Sequence, residues 1–160
     1  MLFRHEMPYD ATPAKVYAML ADPAFRDASC RAQDVVSVQT DITKAGAGMT
    51  VRIDQEQKTP GIPAFARKFV GATTKALQLE TWSDHRNASL EIQTSTPGTM
   101  KGTITIEPAG KGALEVVELT ISVGLPLIGG RLEKLMADLV RRSIEIEHRT
   151  GQAWLAGEPS

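Results

Sequence analysis

The stretch VGLPLIGGRLEKLM, residues 123–136, joins the end of a predicted strand to the start of a predicted long helix. Before it, residues 117–123 alternate between apolar and polar side chains, as in a strand with one buried face. Gly129 and Gly130 then allow the backbone to turn sharply. Residues 131–155 carry apolar side chains at helical spacing, which predicts an amphipathic helix of about six or seven turns.

The start of the chain predicts a strand followed by two short helices. The strand covers residues 2–9. Asp10 or Thr12 can cap the first helix, with Pro13 in its first turn. The second helix is predicted over Pro23–Arg31.

Between these helices and residue 123, alternating runs are separated by short turns such as Gly110-Lys111-Gly112. This spacing predicts an antiparallel meander with one buried face, giving a sheet of about six or seven strands. A sheet of that size has one long helix available to cover it, so we expect an α+β fold in which a curved sheet wraps around the C-terminal helix. No linker or repeat divides the chain, and residues 1–160 are expected to form a single domain.

Composition excludes several classes of protein. The 18 basic and 19 acidic residues give a net charge of −1, so no basic excess is available for binding nucleic acid. The single cysteine, Cys30, and an N-terminus without a signal-peptide pattern predict a cytoplasmic protein. No apolar run approaches the roughly 20 residues of a membrane helix, which argues against stable membrane insertion.

Four local motifs are typical of one superfamily. They are Phe69-Val70-Gly71, Glu80-Thr81-Trp82, residues 126–133 (PLIGGRLE) and residues 147–155 (EHRTGQAWL). With the order of the predicted elements, they resemble the START-like or helix-grip (SRPBCC) superfamily, which includes birch-pollen-allergen-like proteins, polyketide cyclases and lipid-transfer domains. More narrowly, the chain resembles a bacterial family within it that is known as a domain of unknown function. The resemblance implies a hydrophobic-ligand pocket between the sheet and the last helix, but it transfers no catalytic residue.

On this basis, the inward apolar residues of the strands and the last helix are expected to line a cavity. The same residues would equally fill a solid core, so the cavity itself follows from the resemblance. The predicted lining residues are Met49, Val51, Ile53, Leu77, Leu79, Ile104, Ile106, Leu119, Ile121, Val123, Leu132, Leu135, Met136 and Leu139.

Two segments are candidates for the cavity mouth. One is the junction before the last helix, with Leu125, Leu127 and Ile128, which can otherwise pack under the start of that helix. The other is an insert at residues 59–71, TPGIPAFARKFVG. In the insert, the candidate lid residues at helical spacing are Ile62, Phe65 and Phe69. The insert is predicted to be a lid, a patch for transient membrane contact, or a short loop pinned to the core.

Two side chains are candidates for acid–base chemistry. His148 lies late in the last helix, where it is either a general base on the cavity wall or a surface or packing residue. Whether Glu80 is buried depends on which side chains of its strand face inward. If Leu77 and Leu79 face inward, Glu80 and Trp82 face outward, whereas a bulge would reverse the phase and bury Glu80.

No metal ion or cofactor is predicted. The three histidines belong to no zinc-binding motif, and the glycine-rich turns match no phosphate-binding loop.

Three functions remain open at this stage. The first is binding or carrying a small hydrophobic or amphipathic ligand, lipid-like or polyketide-like, in the internal cavity. The second is a cyclase- or dehydratase-like enzyme that uses Glu80 or His148 on an apolar substrate. The third is a solid-cored interaction module that forms a homodimer through the insert or the junction. An internal void would separate the first two from the third.

Overall fold

A seven-stranded antiparallel sheet forms most of the protein in a computed structural model, which describes residues 1–157. The order of the strands in the sheet is β1-β7-β6-β5-β4-β3-β2. The strands are β1 (Leu2–Tyr9), β2 (Val35–Ala45), β3 (Gly48–Lys58), β4 (Thr73–Trp82), β5 (Asn87–Thr94), β6 (Thr99–Ala109) and β7 (Gly112–Ser122). Strands β2 to β7 therefore form a meander, and β1 joins its far edge beside β7.

Within residues 1–157, three α-helices and a one-turn 3-10 helix (Ala64–Ala66) complete the fold, the α-helices being α1 (Pro13–Leu20), α2 (Pro23–Ala32) and the 27-residue α3 (Gly129–Leu155). The side chain of Thr12 caps α1 by accepting from the Lys15 N–H, and Asp22 caps α2 by accepting from the Ala24 N–H. Together α1 and α2 carry the chain from β1 at one edge of the sheet to β2 at the other. Helix α2 contacts both β2 and α3. The predicted α+β helix-grip architecture is confirmed.

The core lies between the inner face of the sheet and α3. Along the strands, alternate side chains face inward and are buried. They include Phe3 and Met7 of β1 and Leu119 of β7. From α3, Leu132 and Met136 pack against this face. Within residues 1–157, no helix combines the length and the apolar composition needed to cross a bilayer.

The phase of β4 corrects one expectation. Glu80 and Trp82 are 1% and 2% exposed, whereas Leu77 and Leu79 are only half-buried and lie on the opposite, outer face. No bulge produces this phase, because β4 pairs with β3 in unbroken register from Thr73 to Trp82. The inward position is favourable for Trp82 because its large ring is buried there, and for Glu80 because a buried cation neutralises it, as described below.

The insert packs against the core. Ala66 and Val70 are buried, and the predicted lid residues Ile62, Phe65 and Phe69 are half-buried against the core cluster. The guanidinium of Arg131, in the first turn of α3, lies 3.9 Å from the ring centroid of Phe65. A cation–π contact therefore connects the insert to the start of the long helix.

In the junction before α3, the three apolar residues predicted at the cavity mouth differ in how far they are buried. Leu125 and Ile128 are half-buried against the core, whereas Leu127 is fully exposed. Leu127 also has a φ of 69°, a conformation that is unfavourable for a branched side chain. None of the three lines the cavity described below.

We expect Leu132→Ala to lower the free energy of unfolding by about 2–5 kcal/mol, because the substitution leaves a cavity in a packed core. Leu132 is 0% exposed and lies where α3 meets the sheet. Urea denaturation followed by circular dichroism measures the change. The matched control is Leu127→Ala, for which a change within about 0.5 kcal/mol is expected at a fully exposed position. Equal losses in both variants would contradict this placement of the core.

Candidate functional site

A cavity of about 160 Å³ separates part of the sheet from α3. It has room for on the order of ten water molecules. Strands β1 and β3 to β7 supply its walls on the sheet side, and α2 and the middle of α3 supply the other side. Lys58, Thr59 and Pro60, where β3 ends and the insert begins, contribute to one end. Lys58 and Pro60 are exposed, so this end is next to solvent.

One part of the wall is apolar. It combines side chains from the inner face of the sheet with the cavity-facing side of α3, and such a surface favours the hydrocarbon part of a ligand. These residues are Met7, Leu90, Ile92, Met100, Ile104 and Val117 from the sheet, and Leu139, Val140, Ile144 and Ile146 from α3.

A belt of amides crosses the cavity wall between β3, α2 and α3. Gln57 of β3 donates to Gln55 at 3.1 Å and to Gln33, just after α2, at 3.0 Å. Ser143 of α3 donates to the same Gln33 oxygen at 2.5 Å. Each of these four residues lines the cavity. The belt gives the wall fixed polar groups beside its apolar surface.

A buried ion pair forms the innermost polar feature. The Nη1 and Nη2 atoms of Arg26 in α2 each donate to one oxygen of Glu80 at 2.8 Å. The Nε atom of Arg26 donates to the Leu20 carbonyl at 2.7 Å. Glu80 also accepts from Gln78 at 2.6 Å and from the Trp82 indole at 2.8 Å. All the polar groups of this pair therefore have partners.

These contacts determine the charge of Glu80. Burial alone would raise the pKa of Glu80, but the charge and hydrogen bonds of Arg26, with the donors of Trp82 and Gln78, lower it overall. Glu80 is therefore a carboxylate held in place by four donors. Glu80 is buried beside the cavity, and its lone pairs are used in fixing α2 to β4.

Two further carboxyl groups enter the cavity from opposite sides. Glu115 comes from β7 and is 2% exposed, and its Oε1 atom has no hydrogen-bond partner within residues 1–157. Glu147 comes from α3 and keeps accessible surface where it lines the cavity. Arg26 is a buried cation that acts on both, but each of its three nitrogen atoms already donates to Glu80 or to the Leu20 carbonyl.

Both carboxyl groups hold their protons to higher pH than an ordinary glutamate. Burial, together with the negative charge of Glu147, raises the pKa of Glu115 well above its ordinary value. Burial also raises the pKa of Glu147, with a further contribution from Glu80 and an opposing one from Arg26. Neighbouring carboxyls titrate as a pair, so the raised pKa values belong to the two together.

His148 lies outside the cavity lining. Its Nε2 atom is 2.6 Å from the Pro8 carbonyl oxygen, to which it donates, and its ring meets the edge of Tyr9 at a centroid distance of 5.0 Å. Both contacts tie α3 to the end of β1. In this structure His148 therefore has a packing role.

The predicted cavity residues divide into three groups. Ile104 and Leu139 line the cavity, and Ile53 lines a smaller adjoining pocket of about 20 Å³. Leu77 and Leu79 lie on the outer face of the sheet, because of the phase of β4. The others belong to the core or pack against it away from the cavity: Met49, Val51, Ile106, Leu119, Ile121, Val123, Leu132, Leu135 and Met136.

Sequence reasoning missed Arg26, Glu115 and Glu147 as site residues, although the two glutamates carry a readable signal. Glu115 has the same strand phase as the buried residues Val117 and Leu119. Glu147 follows the buried Ile144 by three positions on α3. A charged residue in the apolar phase of an element is the pattern that marks a buried polar site.

Comparison with known proteins agrees with this architecture. A family model described as "Protein of unknown function (DUF2505)" matches residues 4–155. The chain belongs to this family. No curated protein matches the chain.

Solved structures show the same fold. A protein from Thermus thermophilus is 21% identical with a TM-score of 0.67, covering 98% of this chain and 99% of that one. A START superfamily protein from Mycobacterium smegmatis is 14% identical with a TM-score of 0.61, covering 94% and 97%. The Zhui aromatase/cyclase from Streptomyces sp. R1128 is 12% identical with a TM-score of 0.61, covering 94% and 90%. The resemblance to the START-like superfamily is confirmed at the level of the fold.

We expect Glu80→Gln to lower the free energy of unfolding by about 3–5 kcal/mol, because it leaves the buried charge of Arg26 uncompensated. The double variant Arg26→Met/Glu80→Gln should lose less, since it removes that charge and keeps an acceptor for Trp82. Urea denaturation measures all the variants. The control is Glu118→Gln, which breaks an exposed pair with Arg4 and should change stability by less than about 1 kcal/mol. A double variant less stable than Glu80→Gln would contradict this role for the pair.

Stability is also expected to depend on the pH through Glu115. Because its folded pKa is raised, the folded state binds more protons than the unfolded state, and stability falls as the pH rises through that pKa. Glu115→Gln should therefore gain stability relative to the parent chain as the pH increases above about 5, the ordinary range of a glutamate being near 4.3. Unfolding free energies measured between pH 5 and 8 test this. A pH profile parallel to that of the parent would show that Glu115 does not titrate in this way.

Proposed function

We propose that this protein binds a small amphipathic molecule in the cavity between the sheet and α3. The observation that carries the proposal is the combination of an enclosed apolar wall with a buried carboxyl oxygen of Glu115 that has no partner in the described chain. Ligand sites are typically apolar clefts with a few fixed polar groups, which set the orientation of the ligand.

The likeness to a START superfamily protein and to an aromatase/cyclase supports this proposal at the level of the fold. The apolar residues would hold the hydrocarbon part of the ligand, and the amide belt with Glu115 and Glu147 would hold its polar part. Binding would gain most of its free energy from removing apolar surface from water. Proposed ligands are lipid-like or polyketide-like molecules small enough for the cavity. A cytoplasmic location and transient membrane contact through the insert stay predictions.

A second candidate function is acid–base catalysis in the same cavity. It is favoured by the raised pKa values of Glu115 and Glu147, because groups with perturbed pKa values in a cavity are typical of active sites. In this alternative, Glu115 and Glu147 would take the role that the sequence suggested for Glu80 or His148. Mass spectrometry of a molecule released from the purified protein, before and after prolonged incubation, separates a carried ligand from a converted one.

A substitution pair on β4 tests the location of binding. Ala76 lines the cavity, whereas its neighbour Leu77 lies on the outer face. We expect Ala76→Phe to weaken binding of the neutral fluorescent probe N-phenyl-1-naphthylamine by at least about tenfold, because the added ring occupies the cavity. A tenfold change in affinity corresponds to a loss of about 1.4 kcal/mol of binding free energy. Leu77→Phe should change the affinity by less than about threefold. Fluorescence titration measures both.

Two results would contradict the proposal. If the parent chain does not bind the probe, the cavity does not accept an apolar molecule of this kind. If Ala76→Phe and Leu77→Phe bind as the parent chain does, binding takes place elsewhere. Circular dichroism of both variants verifies that they fold.

A further inference from the structure

We propose that the ligand of this cavity carries a protonated amine, and that the carboxyl groups of Glu115 and Glu147 receive it from the two sides of the cavity. This inference rests on the proposed binding function and adds the chemical class of the polar group. It accounts for two acidic side chains that point into a space with an apolar wall and a belt of neutral amides.

The first support is the position of Glu115. Its side chain projects from the inner face of β7 and is 2% exposed, and Oε1 has no hydrogen-bond partner within the described chain. A buried carboxyl oxygen without a donor costs free energy. Because this side chain lines the cavity, its carboxyl group lies beside the space that a ligand donor would occupy.

The second support is the charge balance around the cavity. The charged and titratable groups facing Glu115 are Tyr9 from β1, Arg26 from α2, Glu80 from β4 and Glu147 from α3. Arg26 is the one cation among these four, and Glu80 and the Leu20 carbonyl occupy all three of its side-chain nitrogen atoms. Ionising either remaining carboxyl would therefore leave a buried negative charge without a paired cation, which an ammonium group on a ligand would supply.

The third support is geometric. An alkylammonium group carries three donors, and carboxyls entering from β7 and from α3 can accept from it on opposite sides. The carbon chain would then run along apolar residues such as Leu90, Ile104 and Ile144. A carboxylate ligand would add a further acidic group at this end, beside Glu115 and Glu147. It would instead be attracted to the exposed Lys58 and Arg142, which line the outer part of the cavity.

Binding of an ammonium ion should release a proton. Burial keeps the pKa of Glu115 and that of Glu147 raised, so the pair holds its protons to higher pH than ordinary glutamates when the cavity contains no cation. When the ammonium ion enters, one carboxyl ionises beside it and its proton passes to the solvent, leaving the summed charge unchanged. The affinity for the amine should accordingly rise with pH until the amine itself begins to lose its proton.

The test uses three probes with the same carbon chain: hexylamine, 1-hexanol and hexanoate. Each competes with N-phenyl-1-naphthylamine for the full chain at pH 7. We expect hexylamine to bind at least about tenfold more tightly than 1-hexanol, since a charge-assisted contact is stronger than a neutral one, and hexanoate to bind most weakly. Calorimetry of hexylamine binding in two buffers with different heats of ionisation should show release of about one proton, whereas 1-hexanol should release none.

Three glutamine variants connect the result to these side chains. In Glu115→Gln and in Glu147→Gln, the ratio of hexylamine affinity to 1-hexanol affinity should fall toward one, and proton release should decrease. Using two variants protects the test from a folding defect in either. The control is Glu145→Gln, which removes an exposed carboxylate two residues before Glu147 on the same helix and should keep the ratio and the proton release of the parent chain.

The outcomes separate this inference from the function on which it rests. Equal binding of hexylamine and 1-hexanol without proton release would overturn the amine assignment and leave ligand binding in place. Tightest binding of hexanoate would also overturn it and would point to Lys58 and Arg142. If neither N-phenyl-1-naphthylamine nor any of the three probes binds, the proposed function fails, and this inference fails with it.

Discussion

The ion pair between Arg26 and Glu80 is the constraint on which much of the interior depends. A buried charge is unfavourable unless it is paired and hydrogen-bonded, and here the two charges pair with each other through two hydrogen bonds and both side chains have further partners. Because Glu80 must face inward to meet Arg26, Gln78 and Trp82 share its side of β4, and Leu77 is placed on the outer side. The pair also fixes α2 beneath the sheet. Since α2 contacts α3, this one interaction helps to set the distance between the long helix and the cavity wall.

The order and type of the elements could be predicted from the sequence, because each depends on local signals. Alternation in residues 117–123 and helical spacing in residues 131–155 are properties of short segments. The phase of β4 could not be predicted in the same way. Local hydrophobicity favours burying Leu77 and Leu79, whereas the observed phase depends on an arginine 54 positions earlier in the chain. A preference set by a distant partner is not visible in the periodicity of one strand.

The cavity was harder to predict than the fold for a related reason. Apolar periodicity shows which face of a strand is buried, but it does not show whether the space opposite that face is filled. Leu119 and Ile104 both occupy inward positions, yet Leu119 packs in the solid part of the core and Ile104 lines the cavity. The informative residues were the polar side chains at positions where the periodicity predicts apolar ones. Glu115 on β7 and Glu147 on α3 interrupt their buried faces where the cavity lies.

These interruptions have an energetic consequence that connects stability to binding. A neutral side chain at position 115 would suit a solid core better than a carboxyl group with an unpaired oxygen. Tyr9, whose buried hydroxyl also has no partner within residues 1–157, adds to the unsatisfied polar groups near Glu115. A ligand that donates a hydrogen bond to Glu115 removes the free-energy cost of the unpaired carboxyl oxygen, but only while it is bound. Any ligand that binds the folded state alone also stabilises that state by mass action. The polar groups that make the empty cavity unfavourable are therefore the ones that would select its ligand, and affinity and specificity would arise from the same side chains.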